Sequence, residues 1–187
     1  MEKKCTNLKF GDIIGVDYGY YQHFGIYIGD YEVIHYYPLE GSLSRDGSAV
    51  VHISSYDTFL ENEEVCYVCD FSEFYHPAGQ IYDVNAQSKS LHKLIAPKLN
   101  LSEDFEKDNS ILTSFQMGKY KVYSPQETVK RAYDRLGEKS CDFTRCNYEH
   151  YVIWCKTGIT ETYPANTMLK LLKSKWVSIS LQAISNT

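Results

Sequence analysis

The stretch QHFGIYIGDYEVIH, residues 22–35, constrains this chain more tightly than any other part of its sequence. Two β-prone runs flank a turn at Gly29 and Asp30, the pattern of an antiparallel hairpin. Side chains alternate between the faces of a sheet, so the loop length decides where His23 and His35 point. A two-residue loop pairs Phe24 with His35 and sends the imidazoles to opposite faces. A three-residue loop, Gly29 to Tyr31, pairs Gly25 with His35 and makes the histidines diagonal neighbours on one face, about 7–8 Å apart between backbones. That second register is the expectation, with Gly25 leaving space beside the rings. Two histidines in a tyrosine-rich sheet are also, more plainly, residues satisfied by local hydrogen bonds. A metal would need a third and usually a fourth ligand. His52 and Asp12 are available, but no spacing points to them, and neither a metal nor a cofactor is expected.

The surroundings of the hairpin are built in the same way. Of seventeen tyrosines and eight phenylalanines, eleven and five lie before residue 85, and DIIGVDYG, AVVHISSYDTFL and EEVCYVCDF read as further short strands separated by Gly, Asp, Pro and Ser. From Ser124 the period becomes helical. SPQETVKRAYDRLG supplies an N-cap serine, Pro125 at the first helical position, Glu127 closing a capping box and Gly137 as a stop. NYEHYVIWCKTG reads as a second helix, capped by Asn147 and stopped at Gly158, and a last helix is expected from Asn166 to about Ile179. Residues 86–120 are mixed, with NLSEDFEKDNS read as an exposed loop and helical character around Ser88 to Ile95. Strands first and helices later give an α+β domain spanning 1–187, with 166–187 as a C-terminal helix and tail.

Charge and composition exclude several functions. The formal net charge of −5 comes without a long single-sign run, so no nucleic-acid partner is expected. No apolar segment follows MEKKCTNLKFGD, and no window approaches the roughly 18 apolar residues that span a bilayer. A soluble, cytoplasmic protein is the expectation. The six cysteines, at 5, 66, 69, 141, 146 and 155, are expected to be free thiols. Alternation along a strand from Val65 to Phe71 would point Cys66 and Cys69 to opposite faces, against a zinc knuckle or a redox pair.

Three segments in order, LKFGDIIGVDYGYYQHFGIYIGDYEVIHYYP at 8–38, SPQETVKRAYDRLG at 124–137 and NYEHYVIWCKTG at 147–158, together resemble the lecithin retinol acyltransferase family. That family includes the HRAS-like suppressor phospholipases and acyltransferases and is related to NlpC-type peptidases. The resemblance implies a circularly permuted papain-like α+β fold with a thiol nucleophile at a helix N-terminus. It makes His23 the base and His35 its supporting histidine. Asn147, Glu149, His150 and Val152 match the family's N-C-E-H-F-V segment, Tyr151 replaces its Phe, and Tyr148 stands at the nucleophile's own position. Backbone donors around Asn147 and Glu149 would serve as the oxyanion hole.

The chemistry needs sulfur in one place, because a helix N-terminus and a nearby imidazole bring a thiol's pKa towards neutrality. Three readings of the segment follow. Tyr148 has replaced the thiol and the protein is a non-enzymatic or weakly active member that binds lipid or a partner. Alternatively Cys146, two residues upstream, moves into the role and the protein is a cysteine-dependent phospholipid acyltransferase or phospholipase, or a peptidase or amidase of similar chemistry. In the third reading Tyr148 is itself the nucleophile. Cys155 lies two turns into the helix and is assigned to packing, and His150 to a structural role. The tail, with Met168, Leu169, Leu172 and Trp176 on one face and flanking lysines, is either a packed helix or an interfacial one that brings the domain to a phospholipid membrane surface.

Overall fold

The computed structural model describes residues 8–19, 21–38, 49–61, 63–75, 105–140 and 148–185, with backbone alone for Pro38, 105–110, Ser140, Tyr148 and 174–185. Contacts divide the chain into two compact units, 1–69 with 123–156, and 70–122 with 157–187.

The first unit is built on an antiparallel sheet of β1 (Ile13–Asp17), β2 (Gln22–Gly29), β3 (Glu32–Pro38), β4 (Ala49–Ser55), β5 (Tyr67–Val68) and β6 (Lys139–Ser140), in the order β5-β1-β2-β3-β4-β6. The strands follow the runs expected from the sequence, with three departures, the first being β6 at Lys139–Ser140, where no strand was expected. AVVHISSYDTFL is a strand only as far as Ser55, whose hydroxyl then accepts from the Thr58 amide and caps a short helix, α1 (Tyr56–Leu60). EEVCYVCDF contributes two strand residues in place of seven.

The two faces of the sheet are covered differently. On one face Ile14, Val16 and Val33 pack with Tyr56, Phe59 and Leu60 of α1 and with Cys66. The alternate residues Ile13, Phe24, Ile26 and Ile34 are equally buried on the other. There α3 (Pro125–Tyr133) lies against β2. Its start is as the sequence dictates: Pro125 opens the helix and the Ser124 hydroxyl accepts from the Glu127 amide at 3.2 Å. Gly11 (φ 82) admits this helix start, since a Cβ there would lie 2.5 Å from Pro125 Cα.

Cys66 is disulfide-bonded, whereas Cys69 and Cys155 carry no disulfide. The expectation of free thiols throughout therefore fails at Cys66. Spacing along a sequence does not report which cysteines the fold brings within bonding distance.

In the second unit α2 (Phe105–Gln116) replaces most of the loop expected at NLSEDFEKDNS. Its apolar end decides the matter: Ile111, Leu112 and Phe115 are buried, and Phe115 packs on Phe74 with ring centroids 5.2 Å apart. The helical character expected at Ser88 to Ile95 lies outside the described residues. The last helix, α5 (Thr162–Ser185), begins four residues before Asn166 and runs beyond Ile179. Pro164 is compatible with the early start, since the first-turn amides of a helix have no intrahelical partner to lose. Met168, Leu169, Leu171 and Leu172 are buried, and among the described residues no helix is long and apolar enough to cross a membrane.

Candidate functional site

The hairpin reaches the expected register by an unexpected route. Gly25 lies opposite His35, as a three-residue loop would require, yet Gly29 pairs with Glu32 and leaves only Asp30 and Tyr31 in the turn. Both have positive φ, 48° and 58°, as a type I′ turn demands. The missing residue is a bulge: the register shifts between Tyr27 and Gly29, so Ile28 is the extra residue in β2. One turn residue fewer and one strand residue more preserve the parity, and both imidazoles stay on one face.

There they touch. His23 Nε2 and His35 Nδ1 are 2.7 Å apart, and His35 Nε2 lies 2.6 Å from Ser54 Oγ on β4. Ser54 Oγ donates in turn to the Ser55 carbonyl at 3.3 Å. The space beside Gly25 is not empty, because Phe59 from α1 fills it. Its ring lies 5.3 Å from His23 and 5.2 Å from His35 between centroids. A Cβ on residue 25 would come within 2.9 Å of that ring and 2.4 Å of Val33 Cγ1. Glycine is required here for close packing. Burial pushes the pKa of His23 down to about 4. His35, 2% exposed, is pushed to about 3, first by burial and then by the nearby His23 and His52, against a hydrogen bond to the Tyr36 backbone. Both rings are neutral at pH 7.

The pair faces a cleft of ≈450 Å³, open mouth included, walled by Tyr18, Tyr21, Tyr36, Tyr37 and Phe59 with Thr58 and Glu61 at one side. Tyr18 is held over it by donating its hydroxyl to the Phe59 carbonyl at 2.8 Å, and Tyr18 and Tyr21 pack ring to ring. Among the described residues the lining has no lysine or arginine. Among the described residues no group of three or more His, Cys, Asp or Glu side chains could hold a metal ion. Ser54 and Phe59 were not singled out by sequence reasoning. The register carried the signal for Ser54, since His52 sits opposite His35 and Ser54 two residues on shares that face.

Ser140 of β6 pairs with Ala49, which lines the cleft, and α4 (Tyr148–Thr157) begins eight residues later. Tyr148 is the first residue of α4. Cys146 and Asn147 lie outside the described residues; the six residues from 141 to 146 reach at most ~20 Å when extended. Glu149 and His150 are partly buried. The body of α4 lies on the opposite face from the imidazoles: Tyr151 packs on Tyr36, the residue after His35, with ring centroids 5.3 Å apart. Cys155 is fully buried and burial pushes its thiol up to about 12, which fits packing and excludes a thiolate.

A family model described as lecithin retinol acyltransferase matches residues 6–161. The chain belongs to the lecithin retinol acyltransferase family. The match contains the hairpin, Ser54, α3 and α4. The α+β architecture fits the papain-like fold of the lecithin retinol acyltransferase family. No curated protein is a significant match to the chain.

Proposed function

We propose that this lecithin retinol acyltransferase domain keeps the base half of the family's site but turns over acyl substrates weakly or not at all, and binds a lipid or partner at the His23 cleft. The observation that carries the reading is that α4 opens with Tyr148, in the position that the N-C-E-H-F-V resemblance gives to the thiol. The magnitudes favour it. A phenol of ordinary pKa near 10 would have to pass its proton to an imidazole at about 4, a gap of about 6 units or ~8 kcal/mol before any ion-pair stabilisation.

A second reading, catalysis by Cys146, draws support from the completeness of the imidazole chain, which has the form of a base with a supporting partner. The gap from an ordinary thiol is smaller, about 4.5 units or ~6 kcal/mol, and a thiolate beside the ring would raise the imidazole's pKa and narrow it further. Incubation with an activated acyl ester followed by intact-mass measurement separates the two. The proposed reading predicts no acyl adduct on the wild type. A wild-type adduct that disappears in Cys146→Ser and persists in Cys155→Ser would establish the second.

Contact with a phospholipid surface is assigned to the end of α5. The face formed by Met168, Leu169 and Leu172 is already buried, which leaves residues 174–185 for this role. Salt-sensitive co-sedimentation with phosphatidylserine vesicles that is lost on removing residues 174–187 would support the assignment. Binding that survives the truncation, or no binding at low salt, would contradict it.

A further inference from the structure

The chain of contacts from His23 to Ser55 has a direction, because one end of it can only accept. The Ser55 carbonyl has no proton to give, and Ser54 Oγ donates its single proton there at 3.3 Å. Having spent that proton, the hydroxyl meets His35 Nε2, 2.6 Å away, as an acceptor, so Nε2 carries the hydrogen. A neutral imidazole has one N–H, and Nδ1 of His35 is therefore the lone pair that receives Nε2–H of His23 across 2.7 Å. Only Nδ1 of His23 is then left without a proton. With the opposite polarity Ser54 would donate to His35, the Ser55 bond would be lost, and His23 would present an N–H to the cleft, where it could not act as a base.

We infer that Ser54 is a positioning residue that fixes, through His35, the tautomer in which His23 offers its Nδ1 lone pair to the cleft. Ser54 touches no substrate in this role; its hydroxyl sets the direction of two hydrogen bonds. The inference rests on reading His23 as the base of the site, but tautomers are measured without turnover, so the two can fail separately.

The test is long-range nitrogen-15 to proton correlation NMR on the imidazoles of the full chain at pH 7, for the wild type, Ser54→Ala and Ser54→Thr. The wild type should show His23 and His35 each as the Nε2–H tautomer. Ser54→Ala should lose that single pattern, with Nδ1–H character appearing on both rings while the backbone amide spectrum stays native. Ser54→Thr, which keeps the hydroxyl, should restore it. A wild-type His23 carrying its proton on Nδ1, or a Ser54→Ala protein that is folded with unchanged tautomers, would overturn the inference. If Ser54→Ala does not fold, the wild-type and threonine spectra alone decide, since the inference requires Nε2–H in both. Failure of the acyl-adduct reading leaves these spectra untouched.

Discussion

The two faces of the sheet both bury titratable pairs, and they bury them for different ends. On one face His23 and His35 lie within hydrogen-bond distance beneath Phe59, lose basicity through desolvation and still border an open cleft. On the other, Tyr151 and Cys155 are held on α4 beside Tyr36 and Ala132, with the thiol raised to about 12 by burial. A shifted pKa is common to both and so cannot identify a site. A series of hydrogen bonds through His35 and Ser54, beside a cleft, marks out the imidazole face.

Phe59→Ala should have the largest effect, because its ring both fills the core and excludes water from the two histidines. A loss of about 3–5 kcal/mol in urea unfolding is expected, with both histidine pKa values rising towards 6.5. Cys155→Ala, buried on the other face, should leave those pKa values where they are. If it moved them as far as Phe59→Ala does, the separation of the faces would be wrong.

The pH dependence of stability follows from the same pair. Both folded pKa values are depressed from 6.5, so their contribution is complete above that pH and is lost as pH falls towards about 4 and about 3, when the unfolded chain binds protons that the folded one refuses. At pH 5 this amounts to about 2 kcal/mol per histidine relative to pH 7. A His23→Gln, His35→Gln protein should show a correspondingly flatter profile than the wild type. Parallel profiles would mean that the imidazoles titrate normally and are not buried as described.

Gly25→Ala should cost about 1–3 kcal/mol by overpacking Val33 and Phe59, and should broaden or split the imidazole resonances. Unchanged stability would show that the contact between α1 and the hairpin is loose. The smallest effect belongs to the turn. Tyr31, 74% exposed with positive φ, pays for a left-handed conformation that glycine adopts freely, and Tyr31→Gly should stabilise the protein by about 0.5 kcal/mol. A clear destabilisation would argue against the type I′ turn and with it the bulge at Ile28.

What could be read from the sequence was what local chemistry decides. Ser124, Pro125 and Glu127 mark a helix start without help from the rest of the chain, and the parity of the hairpin put His23 and His35 together. The route to that parity was hidden, since a tyrosine in a left-handed turn and a bulge at Ile28 are chosen by packing and not by propensity. Ser54 and Phe59 were missed because they reach the imidazoles from β4 and α1, and α1 itself read as strand. The disulfide at Cys66 and the burial of Met168, Leu169 and Leu172 are likewise tertiary outcomes. In the segment leading to α4, the sequence poses the choice between Cys146 and Tyr148 but offers no periodicity that decides it.

The central claim is that the base half of the site is intact and that the residue opening α4 is what withholds catalysis. Placing sulfur there tests it most directly. Tyr148→Cys should gain a covalent acyl adduct with an activated ester by intact mass. The adduct should be abolished by adding His23→Gln and unaffected by adding Cys146→Ser, while the wild type stays unlabelled. A wild type that is already acylated at Cys146, or a folded Tyr148→Cys protein that acquires no His23-dependent adduct, would contradict the account.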